Sequence, residues 1–157
     1  MGTPNVEWDD DENARINGRI DQHFDYESFF SKCPPKVNLD CAGVLSMNSC
    51  GIREWIQGVQ RHKLEINYVN CPDSFIEQMG NIPQFLMGSK VVSLYCYFTC
   101  ENCGHEERKL FEVGQEVKLG SSWILDPPKY SCSACHKGEL VFEHDPESYF
   151  SFLNHMK

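Results

Sequence analysis

Two short cysteine motifs are the residues most able to support chemistry in this 157-residue chain. Each has the form Cys-x-x-Cys, and 28 residues separate them. Four thiolates brought together can surround Zn²⁺ in a closed tetrahedron. Because the protein would then fill every position, we expect a structural site with no place for a catalytic water. The predicted ligands of this single structural zinc ion are Cys100, Cys103, Cys132 and Cys135.

The sequence between the two motifs contains strand-like pieces at residues 108–113 and 122–125. We therefore interpret residues 99–140 as a small β-structured insertion that resembles a zinc ribbon. His105 and His136 lie beside the motifs and are alternative ligands. A redox role for either motif is a further alternative, although the thioredoxin arrangement has a single such motif.

A second candidate site is the run NSCGI at residues 48–52, where a strand-like pattern changes to a helix-like pattern. The first backbone N–H groups of a helix lack intrahelical partners, and the helix dipole favours negative charge there. Ser49 could therefore cap the helix through its hydroxyl group. Alternatively, Ser49 could be phosphorylated, because a helix N-terminus tolerates a phosphate. Gly51 would allow another backbone to approach this corner closely.

Alternating strands and helices position this corner. Apolar alternation predicts strands at residues 14–20, from residue 37 onward, at 64–69 and at 91–98. Apolar spacing and end signals predict helices at residues 22–32, 50–62 and from Pro72 to about Asn81, with a closing helix at 146–156. This order predicts an α/β fold in which helices pack on a mainly parallel or mixed sheet.

In this context, the NSCGI run resembles the phosphorylation motif of STAS domains, the fold of bacterial anti-sigma-factor antagonists. The family pattern is Asp-Ser-Ser-Gly-Leu between an apolar strand and an amphipathic helix. Asn48 here replaces the aspartate, and Cys50 replaces the second serine. The run NGRID at residues 17–21 is similar to the family's Gly-x-Leu-Asp segment. The resemblance implies a STAS-like domain over residues 14–98.

The resemblance also implies a non-enzymatic regulator that binds a protein partner. In the family, a partner kinase that is itself the anti-sigma factor phosphorylates the serine, and the phosphorylated antagonist releases its partner. Ser49 is the matching serine. We expect partner contacts at this corner and on the exposed side of the helix that follows. The candidate contact residues are Asn48, Ser49, Cys50, Gly51, Arg53, Glu54 and Gln57.

The net charge of −9 is concentrated near the N-terminus, where residues 1–13 form an acidic leader that we expect to be flexible. Residues 99–140 contain more acidic than basic side chains, so nucleic-acid binding by a zinc ribbon is a less favoured alternative. Another is an architectural subunit of a larger assembly, docked through the leader and the segment 141–157. A thiol-dependent enzyme would need Cys50 or Cys71.

Three features bear on cellular location. No apolar run approaches 18 residues, so we expect no membrane insertion. The N-terminus lacks the basic and apolar regions of a signal peptide. The nine cysteines are an odd number, and four of them form the metal motifs, which favours a reducing cytoplasm over a disulfide framework.

Overall fold

The computed structural model describes residues 5–115, 117 and 130–156. Its first sheet is mixed and has five strands in the order β1-β2-β3-β4-β5. Strand β1 pairs antiparallel with β2, and the remaining neighbours are parallel. The strands are β1 (Asn5–Trp8), β2 (Asn13–Ile20), β3 (Lys36–Met47), β4 (Glu65–Val69) and β5 (Lys90–Val91). The predicted mixed sheet with helices packed on it is confirmed.

Three helices connect the parallel strands, namely α1 (Tyr26–Lys32), α2 (Ser49–Arg61) and α3 (Asp73–Asn81), and a 3₁₀ turn (Pro83–Leu86) precedes β5. Each crossover steps to the next strand in the same direction. Crossovers of this kind are nearly always right-handed, which places their helices on one face of the sheet. Consistent with this, Trp55 of α2 and Phe75 of α3 both contact Tyr68 of β4. Trp55 of α2 is fully buried on that face, and its Nε1 donates a 2.9 Å hydrogen bond to the hydroxyl group of Tyr68. No helix in the described part of the chain is long and apolar enough to cross a membrane.

The opposite face of the first sheet is polar. Asn13, Asn38 and Asn67 stand in register on β2, β3 and β4. The Asn38 amide donates to Asn13 at 3.0 Å, and the Asn67 amide donates to Asn38 at 2.8 Å. Two residues further along β2 and β3, Arg15 stands opposite Asp40, and the two side chains form an ion pair at 3.4 Å. Solvent therefore faces a continuous row of hydrogen-bonded amides.

In the described part of the chain, a second, antiparallel sheet has four strands in the order β7-β6-β9-β8. These strands are β6 (Ser93–Cys100), β7 (Glu106–Glu112), β8 (Tyr130–Ser131) and β9 (Glu139–Phe142). The prediction that residues 91–98 form one strand of the first sheet is wrong, since only Lys90–Val91 pairs with β4. The chain leaves the first sheet at Val92, and a bridge between Cys71 and Leu94 joins the two sheets.

The chain ends found in the structure differ from the sequence expectations. Within the predicted flexible leader, Asn5–Trp8 forms a sheet strand, and Trp8 stacks on Phe29 with ring centroids 6.1 Å apart. The predicted closing helix is one α-helical turn, α4 (Pro146–Tyr149), followed by a 3₁₀ helix (Phe150–His155) that buries Phe152. The strand predicted at 122–125 lies outside the described residues.

Candidate metal centre and partner-binding corner

The four cysteine sulfur atoms lie together at one end of the second sheet, all within 4.8 Å of one another. The Sγ atoms of Cys100 and Cys135 are 3.7 Å apart, and so are those of Cys103 and Cys132. Each short distance therefore joins one motif to the other. The structure brings the four predicted ligands into one cluster that could hold a metal ion.

Local backbone geometry positions each motif. The first motif occupies the turn between β6 and β7, and the second lies between β8 and β9. In the first turn, the N–H groups of Asn102 and Cys103 donate to Cys100 Sγ at 3.3 and 3.4 Å. In the second turn, the N–H group of Ala134 donates to Cys132 Sγ at 3.3 Å. Such donors stabilise negative charge on sulfur, which metal binding requires.

The two motifs share a backbone conformation immediately after their second cysteine. Gly104 has a φ of 78° and His136 has a φ of 58°, both in the left-handed region. Each residue's N–H closes the turn onto the carbonyl of the first cysteine, at 3.0 Å for Gly104 and 3.1 Å for His136. The His136 side chain is exposed, and its backbone completes the turn. His105 pairs with Glu107 at 3.3 Å, so neither neighbouring histidine joins the sulfur cluster.

Asn102 and Gly138, which were not predicted as site residues, allow the two motifs to pack closely together. The Asn102 side chain donates to Cys135 Sγ at 3.5 Å. This hydrogen bond, together with the N–H groups of Lys137 and Gly138, lowers the pKa of Cys135 to about 5. A Cβ atom on Gly138 would lie only 2.5 Å from Cys100 Sγ. The sequence signal for Gly138 was its position three residues after the last ligand.

A carboxylate on β7 also connects the two motifs. Glu107 accepts hydrogen bonds from the backbone N–H of Ser133, at 3.1 Å, and from the Ser133 hydroxyl group. The hydroxyl hydrogen bond lowers the pKa of Glu107. Lys109 lies 3.7 Å from the same carboxylate. Glu107 therefore holds the second motif against the strand that follows the first.

At the second candidate site, Asn48 rather than Ser49 caps α2. The Asn48 Oδ1 atom accepts a 2.8 Å hydrogen bond from the N–H of Gly51, and its Nδ2 donates to Gln22 at 3.0 Å. The prediction that Ser49 forms the cap is therefore wrong. Asparagine is as good an N-cap as serine. Ser49 is the first residue of the helix, and its side chain is exposed.

Gly51 is buried where α2 begins, against the end of β2. A Cβ atom there would overlap the carbonyl oxygen of Ile20 and lie 2.7 Å from its carbonyl carbon. The backbone that approaches this glycine is therefore the chain's own. The side of Gly51 on which a side chain would lie faces Ile20 rather than a partner, although Gly51 was among the predicted contact residues.

The exposed face of α2 carries a polar stripe. Ser49, Arg53 and Gln57 are spaced by four residues, point to solvent and share one side of the helix, while Cys50 and Glu54 are half-buried. Four residues before Ser49, near the end of β3, Leu45 is 69% exposed. Leu45 was not among the predicted contact residues, because an apolar residue in a strand pattern is expected to face the core.

Comparison with known proteins gives no assignment. No protein-family model, no curated protein and no solved structure matches the chain. The resemblance to STAS domains therefore stays a prediction that depends on the NSCGI run and on the order of strands and helices.

Proposed function

We propose that this chain is a non-enzymatic bacterial regulatory module that binds a protein partner through the corner at residues 48–53, and that phosphorylation of Ser49 gates the binding. The observation that carries the proposal is the exposed Ser49 hydroxyl at a helix start that Asn48 already caps. Resemblance to anti-sigma-factor antagonists suggests an anti-sigma factor or switch kinase as the partner.

The structure of the corner is compatible with a phosphate on Ser49. No hydrogen bond joins Ser49 Oγ to another residue in the described ranges, so modification breaks no contact there. The phosphate would lie at the positive end of the α2 dipole, where added negative charge is favourable. The modification is therefore expected to change the surface and to leave the fold intact.

Release of the partner follows from the spacing on α2. Arg53 lies four residues after Ser49, on the same side of the helix. A phosphate on Ser49 would form a charge-assisted pair with the Arg53 guanidinium group. That pair withdraws a cation from the surface and adds negative charge four residues after the exposed Leu45. A partner that contacts Leu45 with apolar groups and Arg53 with a carboxylate would lose both interactions.

We also propose that the sulfur cluster holds one structural Zn²⁺ ion. A tetrahedron with Zn–S bonds of about 2.3 Å has edges of about 3.8 Å. The Cys100–Cys135 and Cys103–Cys132 sulfur pairs, at 3.7 Å, fit that edge. Binding one ion would connect both turns at this end of the second sheet, and four thiolates leave no open position for substrate.

The test is affinity capture from a bacterial lysate with wild type, Ser49→Asp and Ser31→Asp as baits, followed by mass spectrometry. Ser31 is an exposed serine in α1, so its variant matches the charge change away from the corner. We expect a partner that wild type and Ser31→Asp retain and that Ser49→Asp loses. Leu45→Ser should weaken the same interaction while changing the free energy of unfolding by less than about 0.5 kcal/mol.

Two results would contradict the proposal. Equal retention of every partner by wild type and Ser49→Asp would remove the phosphorylation gate. If Leu45→Ser also retained every partner, the corner would not be the contact surface. A partner still bound by both variants would direct attention to an architectural role through another surface, and nucleic acid retained by the baits would favour the nucleic-acid alternative.

A further inference from the structure

A second group of potential metal ligands lies where the helix layer meets the second sheet. It consists of Asp73 and Glu77 on α3 and His144 just after β9. One ligand atom from each residue lies within 4.8 Å of the other two. Asp73 Oδ2 is 3.5 Å from His144 Nε2, and Glu77 Oε1 is 3.7 Å from His144 Nδ1.

The fold holds these side chains in place. Asp73 and Glu77 are four residues apart in α3 and therefore share one side of the helix. The imidazole ring of His144 stacks on Tyr149, with centroids 4.5 Å apart and planes at 15°. The ring of Tyr97 meets the imidazole edge-on at 6.2 Å. Aromatic contacts on two sides thus fix the ring relative to the carboxylates.

One atom of this group has an unmet bonding requirement. Among the residues that the structure describes, His144 Nε2 is a buried side-chain nitrogen without a hydrogen-bond partner. The 3.5 Å separation from Asp73 does not satisfy it. Buried polar atoms in folded proteins generally have a partner, so an atom without one indicates a missing proton donor, water or ion. The imidazole nitrogen is also among the most common metal ligands in proteins.

The surroundings favour a cation. A small cavity of about 260 Å³ reaches the group and is lined by Glu77, Asn81, His144, Asp145, Ser148 and Tyr149. Among the described residues of this group and its cavity, the charged side chains other than His144 are all acidic, namely Asp73, Glu77 and Asp145. One imidazole and two carboxylates form a donor set suited to Mn²⁺ or Zn²⁺, with positions left for water.

We propose that Asp73 and His144, the latter through Nε2, bind a divalent transition-metal ion at a site separate from the four cysteines, and that Glu77, which here faces Nδ1, turns to complete the site. The ion would connect α3, which packs on the first sheet, to the segment that follows the second sheet. The competing explanation is an imidazolium ion at His144 that pairs with both carboxylates and needs no metal.

The test is titration with Mn²⁺ of protein that carries only one Zn²⁺ per chain, which the four thiolates bind in preference to a site of two carboxylates and one imidazole. The electron paramagnetic resonance signal of free Mn²⁺ measures binding. Mn²⁺ is a suitable probe because it binds more weakly than Zn²⁺ to a shared ligand set and should not displace zinc from the thiolates. We expect wild type to bind one Mn²⁺ per chain. His144→Gln and Asp73→Asn should each weaken binding at least tenfold. Glu147→Gln, an exposed acidic control in α4, should bind like wild type.

The zinc content of each variant and its circular dichroism spectrum establish that the fold is retained. Absence of Mn²⁺ binding by wild type would overturn the proposal and favour the imidazolium explanation. Equal Mn²⁺ affinity in wild type, His144→Gln and Asp73→Asn would also overturn it. So would an equal loss in Glu147→Gln, because that result would indicate attraction to surface charge rather than a defined site.

Discussion

Replacing Gly51 with alanine tests whether this corner is a packing contact within the fold. The added methyl group would overlap the Ile20 carbonyl oxygen and lie 2.7 Å from the carbonyl carbon. A backbone carbonyl in a sheet cannot rotate away, so the start of α2 must move off β2. That movement also disturbs the 2.8 Å cap hydrogen bond between Asn48 and the Gly51 N–H.

The expected change in the free energy of unfolding is the sum of two costs and one gain. Inserting a methyl group into a closely packed site costs about 1–3 kcal/mol, and a weakened cap costs about 1 kcal/mol. The higher helix propensity of alanine offsets up to about 1 kcal/mol of this. We expect Gly51→Ala to reduce the free energy of unfolding by about 2 kcal/mol. In a chain of this size, that lowers the melting temperature by roughly 4–8 °C.

Gly80→Ala is the matched control, measured by urea and thermal unfolding of the metal-loaded protein. A Cβ atom on Gly80 would meet the Ser151 hydroxyl at 2.6 Å, and that hydroxyl ends a rotatable side chain. Gly80→Ala should therefore be neutral or slightly stabilising. If Gly51→Ala proved as stable as Gly80→Ala, the inferred contact with Ile20 would be refuted, and Gly51 could again be a partner contact.

Three further predictions concern the metal centre and the core. If the sulfur cluster holds zinc as proposed, Cys132→Ser should abolish zinc binding there, measured by mass spectrometry of metal content. It should also destabilise the second sheet, whereas Cys33→Ser should retain the ion. Trp55→Phe should cost about 1–3 kcal/mol in urea unfolding, because the Tyr68 hydroxyl loses its buried donor. Burial raises the pKa of Tyr68 well above its usual value. The folded state therefore holds this proton more tightly than the unfolded state, and the stability from Tyr68 is complete below about pH 10 and lost above it. Tyr68→Phe should show a shallower alkaline loss in unfolding experiments between pH 8 and 11.

The sequence predicted features that have a local signature. The spacing of the four cysteines identified the sulfur cluster, because a metal motif needs only short turns with fixed ligand positions. The apolar spacing of Trp55 and Val59 identified α2, which begins at Ser49 and buries both residues. The acidic group around His144 had no such signature, since its members lie 67 residues apart along the chain, at 77 and 144.

Other features could not be predicted because more than one structure is compatible with the same sequence pattern. The apolar alternation at residues 91–98 is the same whether the strand joins the first or the second sheet. The choice depends on pairing with β7, where Leu94 stands opposite Phe111. Likewise, Asn48 and Ser49 are both good caps, and the backbone conformation at Asn48, with ψ at 177°, decides between them.

The row of amides on the solvent face limits how the parallel strands can slide past one another. A shift by one residue would turn the apolar side chains of β3 toward water. A shift by two residues keeps that alternation, so burial alone does not exclude it. In that case Asn38 would stand opposite Glu65 or Val69 instead of Asn67, and the amide hydrogen bond would be lost. The amide hydrogen bonds on the polar face therefore favour one register of the strands among those that keep the apolar side chains of β3 buried.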